Sequence, residues 1–309
     1  MTPTPRLLLS LPVGTRAGGG DPRLLIDLAR RAEAAGVDGV IVVDHVLIGE
    51  RTDRYQWGPF PYGPEAPWLE PLTVLTAIAT ATERLLLTTG ILVVPLRPAA
   101  LLAKQVATLD VLSGGRLTLG VGTGWQEEEF TAEGLSFADW GRLLTDGVAA
   151  CRALWRDAPA SFESASVSFT NVWSEPRPVQ AGGPPILFSG TLTPRNVRRI
   201  VELGDGWIPI MGATLDDVAT GAEVLRTALA EAGRDPSTLL VRASLPLVAG
   251  ADGGRRDLGA SLAKMPEVLA AGATEVSVPS SAFIEADDPG IDAWLAELVD
   301  GWRAALATR

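Results

Sequence analysis

The segment "IVVDHV" (41–46) sets an acid and an imidazole, Asp44 and His45, at the end of an apolar run, and His45 is the one histidine of the chain. A neutral imidazole can accept a proton near neutral pH, and a protonated one can stabilise developing negative charge. Asp44 can orient that ring or meet a ligand through its backbone. The plain alternative is a histidine hydrogen-bonded in the core or at the surface. With one His and one Cys, the chain has no ordinary donor set for zinc, so proton transfer without a metal is the chemistry to expect.

Three further stretches carry candidate residues. The loop "LIGERTDRYQWGPFPYGPEAPWLE" (47–70) sets Trp57, Phe60, Tyr62 and Trp68 among glycines and prolines. A loop of this length inside a compact domain is usually functional or mobile. Its aromatics either cap a pocket for a flat organic ligand, with Trp57 and Trp68 lining it, or pin the loop to the surface. "FSGTLTPR" (188–195) offers Gly190, hydroxyls and a new helix N-terminus, where backbone amides and the helix dipole suit a phosphate. Thr193 there also reads simply as the N-cap before Pro194. "GVGTGWQEEEF" (120–130) is glycine-rich, but its G-x-G-x-G spacing is not the dinucleotide fingerprint. Glu127, Glu128 and Glu129 read as a solvated helix start, favoured by the dipole.

Something must hold these segments together. Apolar strands at 6–13, 39–44, 84–95, 116–122 and in "PILFSG", "GWIPIM", "LLVRASLPLVA" and "TEVSVPS" alternate with amphipathic helices. The helices fall at 21–36, 70–83, 98–115, near 137–156, at "TPRNVRRIVELG", and at 214–233, 256–271 and 291–307. Asp21 is expected at the first N-cap, Pro22 at N1 and Gly36 near the C-cap. The turn-rich stretch after residue 156 alternates like a small hairpin. Apolar strands joined by helices imply a parallel sheet covered on both faces. Eight units in 309 residues fit an α/β fold, a (β/α)8 TIM barrel forming a single domain over 1–309. In such a barrel the C-terminal strand ends form one mouth, where Asp44, His45, Gly90, Ile91 and the two glycine-bearing loops converge.

Composition narrows the partners. Hydrophobic residues make up 47% and charged residues 20%, with a net charge of -11. That balance argues against a nucleic-acid surface, which needs clustered Lys and Arg. No apolar run approaches the roughly 18–20 residues needed to span a bilayer, and the N-terminal stretch lacks a basic n-region. The expectation is a cytoplasmic protein with no membrane partner. Cys151, within "GVAACRALW", reads as a small buried hydrophobe.

Taken together, "DLARRAEAAGVDGVIVVDHV", the long stretch Glu70 to Phe130 and "SGTLTPRNVRRIVELGDGW" resemble the bacterial-luciferase-like flavin and deazaflavin oxidoreductases over nearly the whole chain. The resemblance is nearest to the F420-dependent branch of the luciferase-like monooxygenase superfamily. It implies a TIM barrel with a small insertion between strands four and five, and a tricyclic cofactor across the mouth. It also implies a non-proline cis peptide behind the ring, matched here by Gly90–Ile91. Asp44 and His45 match an acid–imidazole pair beside cofactor and substrate, and both are the catalytic candidates. Thr123 and Trp125 match positions near the ring. Ser189, Gly190, Thr191 and Thr193 match a phosphate-binding turn, with Arg142 as a phosphate partner. The chain departs from many relatives at Thr191, where they carry Gly, and at Trp140, where they carry Arg.

The resulting expectation is hydride transfer between coenzyme F420 and a small organic substrate, in a protein that forms a homodimer through the apolar helices at 70–83 and 98–113. Three alternatives stand beside it. One is a monooxygenase using reduced FMN and O2. Another is a flavin- or deazaflavin-binding protein without catalysis. The third is a sugar-phosphate lyase or isomerase using "SVPSSAF" near the chain end.

Overall fold

The computed structural model describes residues 4–13, 21–250 and 254–308. Eight parallel strands close into a barrel: β1 Arg6–Ser10, β2 Gly39–Val42, β3 Leu86–Thr89, β4 Leu117–Gly122, β5 Ile186–Ser189, β6 Gly206–Ile208, β7 Leu240–Ser244 and β8 Glu275–Pro279. Each strand pairs with its neighbours in chain order, β8 pairs with β1 (Leu7 opposite Val276), and β3 pairs with β4 (Leu87 opposite Leu117). The (β/α)8 TIM barrel read from the sequence is therefore the observed fold.

Helices surround the strands: α1 Arg23–Ala35, α2 Pro71–Ala81, α3 Ala99–Ser113, α4 Glu127–Ala132, α5 Trp140–Arg156, α6 Pro194–Leu203, α7 Leu215–Glu231, α8 Leu258–Leu262, α9 Met265–Ala270 and α10 Ile291–Ala307. The excursion between β4 and β5 holds α4, α5 and a two-stranded antiparallel hairpin, Ala160–Glu163 with Ser168–Val172. Both the hairpin and the insertion stand where the sequence puts them.

Local chemistry explains the boundaries. α1 begins one residue later than expected: Pro22 is the N-cap, and the Asp21 carboxylate accepts from the Arg23 amide at 2.9 Å. It ends at Gly36, whose φ of 100° suits a residue without a Cβ. Glu70 caps α2 by accepting from the Thr73 amide at 2.7 Å. The expected helix 256–271 is instead two short ones, because Pro266 lacks an amide donor and can sit only in a first turn. The strand expected over 84–95 is also in two pieces, β3 and the short Leu92–Val93, which pairs with β4 (Leu92 opposite Val121). The break between them is the Gly90–Ile91 bond, which is cis.

The helices bury their apolar faces against the barrel wall, with Leu75, Ile78, Val106, Leu225 and Leu295 wholly enclosed. Inside the barrel a buried ion pair replaces part of the usual aliphatic filling. Arg242 Nε donates to Glu275 Oε2 at 2.7 Å, and its Nη1 and Nη2 reach across to the Thr89 carbonyl and the Thr88 hydroxyl at 2.9 and 2.6 Å. Each nitrogen of the guanidinium thus has an acceptor, which is what makes its enclosure tolerable. Its hold on the end of β3 sets the strand just before the break. Cys151 is 1% exposed, and burial pushes its thiol up to about 12. It packs as a hydrophobe. Among the described residues, no helix is long and apolar enough to cross a membrane.

Candidate active site at the mouth of the barrel

Asp44 follows β2 and is buried, with its side chain 1% exposed. Its carboxylate accepts from the Val93 amide at 2.8 Å and takes a two-pronged contact from Arg97, Nη1 at 2.7 Å and Nη2 at 3.0 Å. Such a fork-to-carboxylate pair is geometrically specific as well as strong. Arg97 also reaches Glu70 Oε1 at 3.0 Å. Burial alone would pull the Arg97 guanidinium down, but the bonds to Asp44 and Glu70 outweigh it and hold it above the ordinary arginine value. Asp44 therefore ties the end of β2 to the backbone just past the cis Gly90–Ile91 bond. Gly90 must be glycine here: a Cβ would stand 2.3 Å from Ile41 Cγ2, on a stiff, buried, β-branched side chain. Ile91 packs against Gly122 at the end of β4, one residue before Thr123.

The acid that meets His45 is Glu129, where the sequence suggested Asp44. His45 Nδ1 lies 3.2 Å from Glu129 Oε2, and the other carboxylate oxygen accepts from the Val46 amide at 2.8 Å. Glu129 is 0% exposed, so the expected solvated helix start holds for Glu127 and fails for Glu129. On the far side of the ring, the Trp125 indole Nε1 donates to His45 Nε2 at 3.3 Å. A ring that accepts at Nε2 carries its proton on Nδ1, and Glu129 is the matching acceptor.

Loop 47–70 folds down on this histidine. The Trp68 ring lies edge-on to His45 with centroids 4.6 Å apart, and Phe60 stacks on Trp68 at 6.2 Å. Tyr55 touches Trp57, Phe60 and Trp125, each at 5.1 Å. Two residues of the β4 loop and α4 hold the loop down: Gln126 Oε1 accepts from the Gly49 amide at 2.8 Å, and Glu127 pairs with Arg54. From the β6 side, Met211 Sδ accepts from the Tyr55 hydroxyl at 3.1 Å. Burial pushes the Tyr55 and Tyr62 hydroxyls above the ordinary tyrosine value, so both stay protonated donors. The bonding in this region is incomplete: among the described residues, the buried donors Trp68 Nε1 and Gln126 Nε2 have no partner. An enclosed donor left unmet costs on the order of 1–3 kcal/mol.

The second cluster lies across the mouth, after β5. Gly190 has a φ of 116°, its amide donates to the Ile208 carbonyl at 3.1 Å, and its carbonyl accepts from Trp207 Nε1 at 2.7 Å. Thr193 caps α6, accepting from the Asn196 amide. Among the described residues, the amides of Thr191 and Leu192 donate to no protein acceptor. Behind the turn lies Arg199, 8% exposed. It donates to Asn196 Oδ1, Thr145 Oγ1 and the Gly141 carbonyl at 3.0, 2.9 and 2.8 Å, and among the described residues no carboxylate pairs with it. Burial and the nearby Arg195 hold its guanidinium below the ordinary arginine value. Arg142 lies apart from this cluster in its contacts: it pairs with Asp139 at 3.0 Å and Asp146 at 3.9 Å along α5. Trp140, the departure on α5, packs on Phe137.

The structure thus joins His45, Trp68 and Trp125 directly, adds Trp57 through Tyr55, and links Asp44 to the Gly90–Ile91 break. Ser189, Gly190, Thr191 and Thr193 form a separate turn. Arg97 and Arg199 were not singled out from the sequence, and Glu129 reads there only as part of a solvated helix start. The one sequence signal for Arg97 is its place in "PLRP" directly after the third strand.

Similar proteins agree with this architecture. An uncharacterized protein of Mycobacterium tuberculosis is 34% identical over 167 residues, 54% of this chain and 58% of its own length. The F420-dependent glucose-6-phosphate dehydrogenase of Amycolatopsis mediterranei is 29% identical over 212 residues, 67% of this chain and 59% of its own length. The aligned part thus spans less than two thirds of either relative. The crystal structure of monooxygenase RslO1 from Streptomyces bottropensis superposes with a TM-score of 0.74 at 21% identity, over 98% of this chain and all of that one, a likeness of fold. Residues 7–257 match the family described as luciferase-like monooxygenase, and the chain belongs to that family.

Proposed function

We propose that the protein is an F420-dependent oxidoreductase that moves a hydride between the deazaflavin and an oxygen-bearing carbon of a small organic substrate. The observation that carries this reading is His45: a largely enclosed imidazole at the barrel mouth, its side chain 9% exposed, whose Nε2 faces an indole donor under an aromatic cover. The bound cofactor supplies the hydride acceptor or donor. The residues of this chain do the rest. Gly90 and Ile91 form the shelf at the end of β3, and Asp44 with Arg97 keeps that shelf in place. Thr123 and Trp125 border it. The Thr191 and Leu192 amides, beside Ser189, Gly190 and the Thr193 cap, receive the phosphate, and Arg199 lends that turn a positive charge which no carboxylate among the described residues cancels. His45 Nε2 takes the proton of a substrate alcohol, or returns it to the oxygen in the reverse direction. Trp57, Trp68 and Phe60 exclude water, which strengthens these interactions. The reading includes a homodimer, for which α3 leaves Leu101 and Leu112 exposed.

The aromatic cover also suits a monooxygenase using reduced FMN and O2, since excluding water guards reactive oxygen chemistry. A fluorescence titration with F420 and, in parallel, FMN separates the two. Saturable F420 binding with little FMN response supports the deazaflavin reading. Preference for FMN, together with O2 uptake on reduced FMN, replaces it. Within the F420 reading, His45→Ala should lower kcat about 10²–10⁴-fold, the usual worth of a positioned acid or base, with cofactor affinity nearly unchanged. A variant with normal turnover removes His45 from the mechanism.

A further inference from the structure

We propose that Glu129 is the positioning residue of the site: it fixes the His45 ring as the Nδ1–H tautomer and so leaves Nε2 as the atom that exchanges the substrate proton. The proposal rests on the reading of His45 as the proton-transfer group. Its evidence is the way Glu129 is held. The carboxylate is wholly enclosed, and each oxygen has its own N–H: Oε1 the Val46 amide, Oε2 the Nδ1 side of His45. Because Val46 follows His45 in sequence, one carboxylate fixes both the ring and the backbone that carries it. Among the described residues, no arginine or lysine pairs with Glu129, whose hydrogen-bond partners are the Val46 amide and the imidazole. Trp125 completes the arrangement by donating to Nε2.

In the alcohol-oxidising direction the balance is simple. The substrate C–H bond breaks and its hydride leaves for the cofactor. The O–H bond breaks and its proton goes to His45 Nε2, and the C=O bond forms. The imidazolium then donates from Nδ1 to Glu129, while its new Nε2–H faces the Trp125 N–H. Two donors now oppose each other, so Trp125 must turn away until the proton leaves. Glu129 thus favours the ring that has taken the proton, and Trp125 favours the ring ready to take it.

Glutamine at 129 should invert the ring. Its single oxygen is required by the Val46 amide, which turns the NH2 toward His45 Nδ1. Nδ1 must then accept, and the proton moves to Nε2. Because the chain has one histidine, tag-free protein labelled with 15N gives a single imidazole pattern, and the two ring nitrogens report the tautomer without cofactor or turnover. The expected result is a protonated Nδ1 in the wild type at pH 8, a protonated Nε2 in Glu129→Gln, and a retained Nδ1–H in Trp125→Phe. In the loaded enzyme Glu129→Gln should lose about 10²–10⁴-fold in kcat with KM little changed, by analogy with a wrong-tautomer triad histidine, and Glu129→Asp should recover part of it. A wild-type ring protonated at Nε2, or a ring unmoved by Glu129→Gln, overturns the proposal. If Glu129→Gln does not fold, Trp125→Phe decides: loss of the Nδ1–H form there makes Trp125 the determinant and overturns it as well. Normal turnover in His45→Ala would instead sink the catalytic reading and leave the tautomer result standing.

Discussion

Asp44→Asn isolates the role the structure gives to the first acid of the "DH" pair. The wild-type carboxylate accepts three hydrogen bonds, one from the Val93 amide and two from Arg97. Hydrogen bonds to charged groups are worth about 1.5–3 kcal/mol each, and removing one partner of a buried pair costs about 3–5 kcal/mol in all. Two features lower that figure. Asparagine still offers one acceptor, and Arg97 keeps Glu70 at 3.0 Å and the Val93 carbonyl at 3.3 Å. A loss of about 2–3 kcal/mol follows, a fall in Tm of roughly 3–5 °C for a chain of this size. Calorimetry of the cofactor-free protein measures it. Arg97→Met in the same background gives the second leg of a double-mutant cycle, where direct contact should appear as about 1–3 kcal/mol of coupling. Asp44→Asn should also leave the His45 ring in its Nδ1–H form, since Glu129 and not Asp44 meets that nitrogen. A Tm within 1 °C of wild type would refute the clamp, and a changed tautomer would return Asp44 to the role suggested by sequence.

Two other substitutions test the frame around the site. Gly90→Ala should cost about 1–3 kcal/mol by overpacking, because the new Cβ would fall 2.3 Å from Ile41 Cγ2; thermal unfolding reads this, and unchanged stability would mean that the shelf is not closely packed. Glu33 accepts from the Glu83, Arg84 and Leu85 amides; burial pushes its carboxyl up, but those amides prevail and hold it below the ordinary glutamate value. A lowered folded value makes its contribution full at neutral pH and lost as pH falls through that value. Glu33→Gln should therefore be less stable than wild type at pH 7, by about 1–2 kcal/mol, and should converge with it toward pH 3; parallel curves would refute the assignment.

The barrel was legible because its signals are periodic and local. Most strands are short apolar runs, and some helices carry their own stop, such as Gly36 after α1 and Gly114 after α3. The closing contact between β3 and β4, and the one between β8 and β1, follow from strand count and handedness once the alternation is seen. The site was legible only in part, because the sequence reports which residue types occur and not which of them face one another. His45 stood out through rarity and its place at a strand end. Glu129 had the opposite fate. Three consecutive glutamates at a helix start look alike, and dipole reasoning assigns all three to solvent. In the structure Glu127 reaches out to Arg54, Glu128 crowds Gly49, and Glu129 turns inward beside the fully buried Phe130. What separates them is rotation about a single turn of helix, set by where Phe130 anchors in the core. The same logic hid Arg97: its charge suggests surface, yet the chain turns after β3 so that its guanidinium meets Asp44, 53 residues earlier in the sequence. Pairings that cross from one strand end to another, such as Asp44 with Arg97 and His45 with Glu129, are decided by the closed barrel, so they become visible only once closure is known.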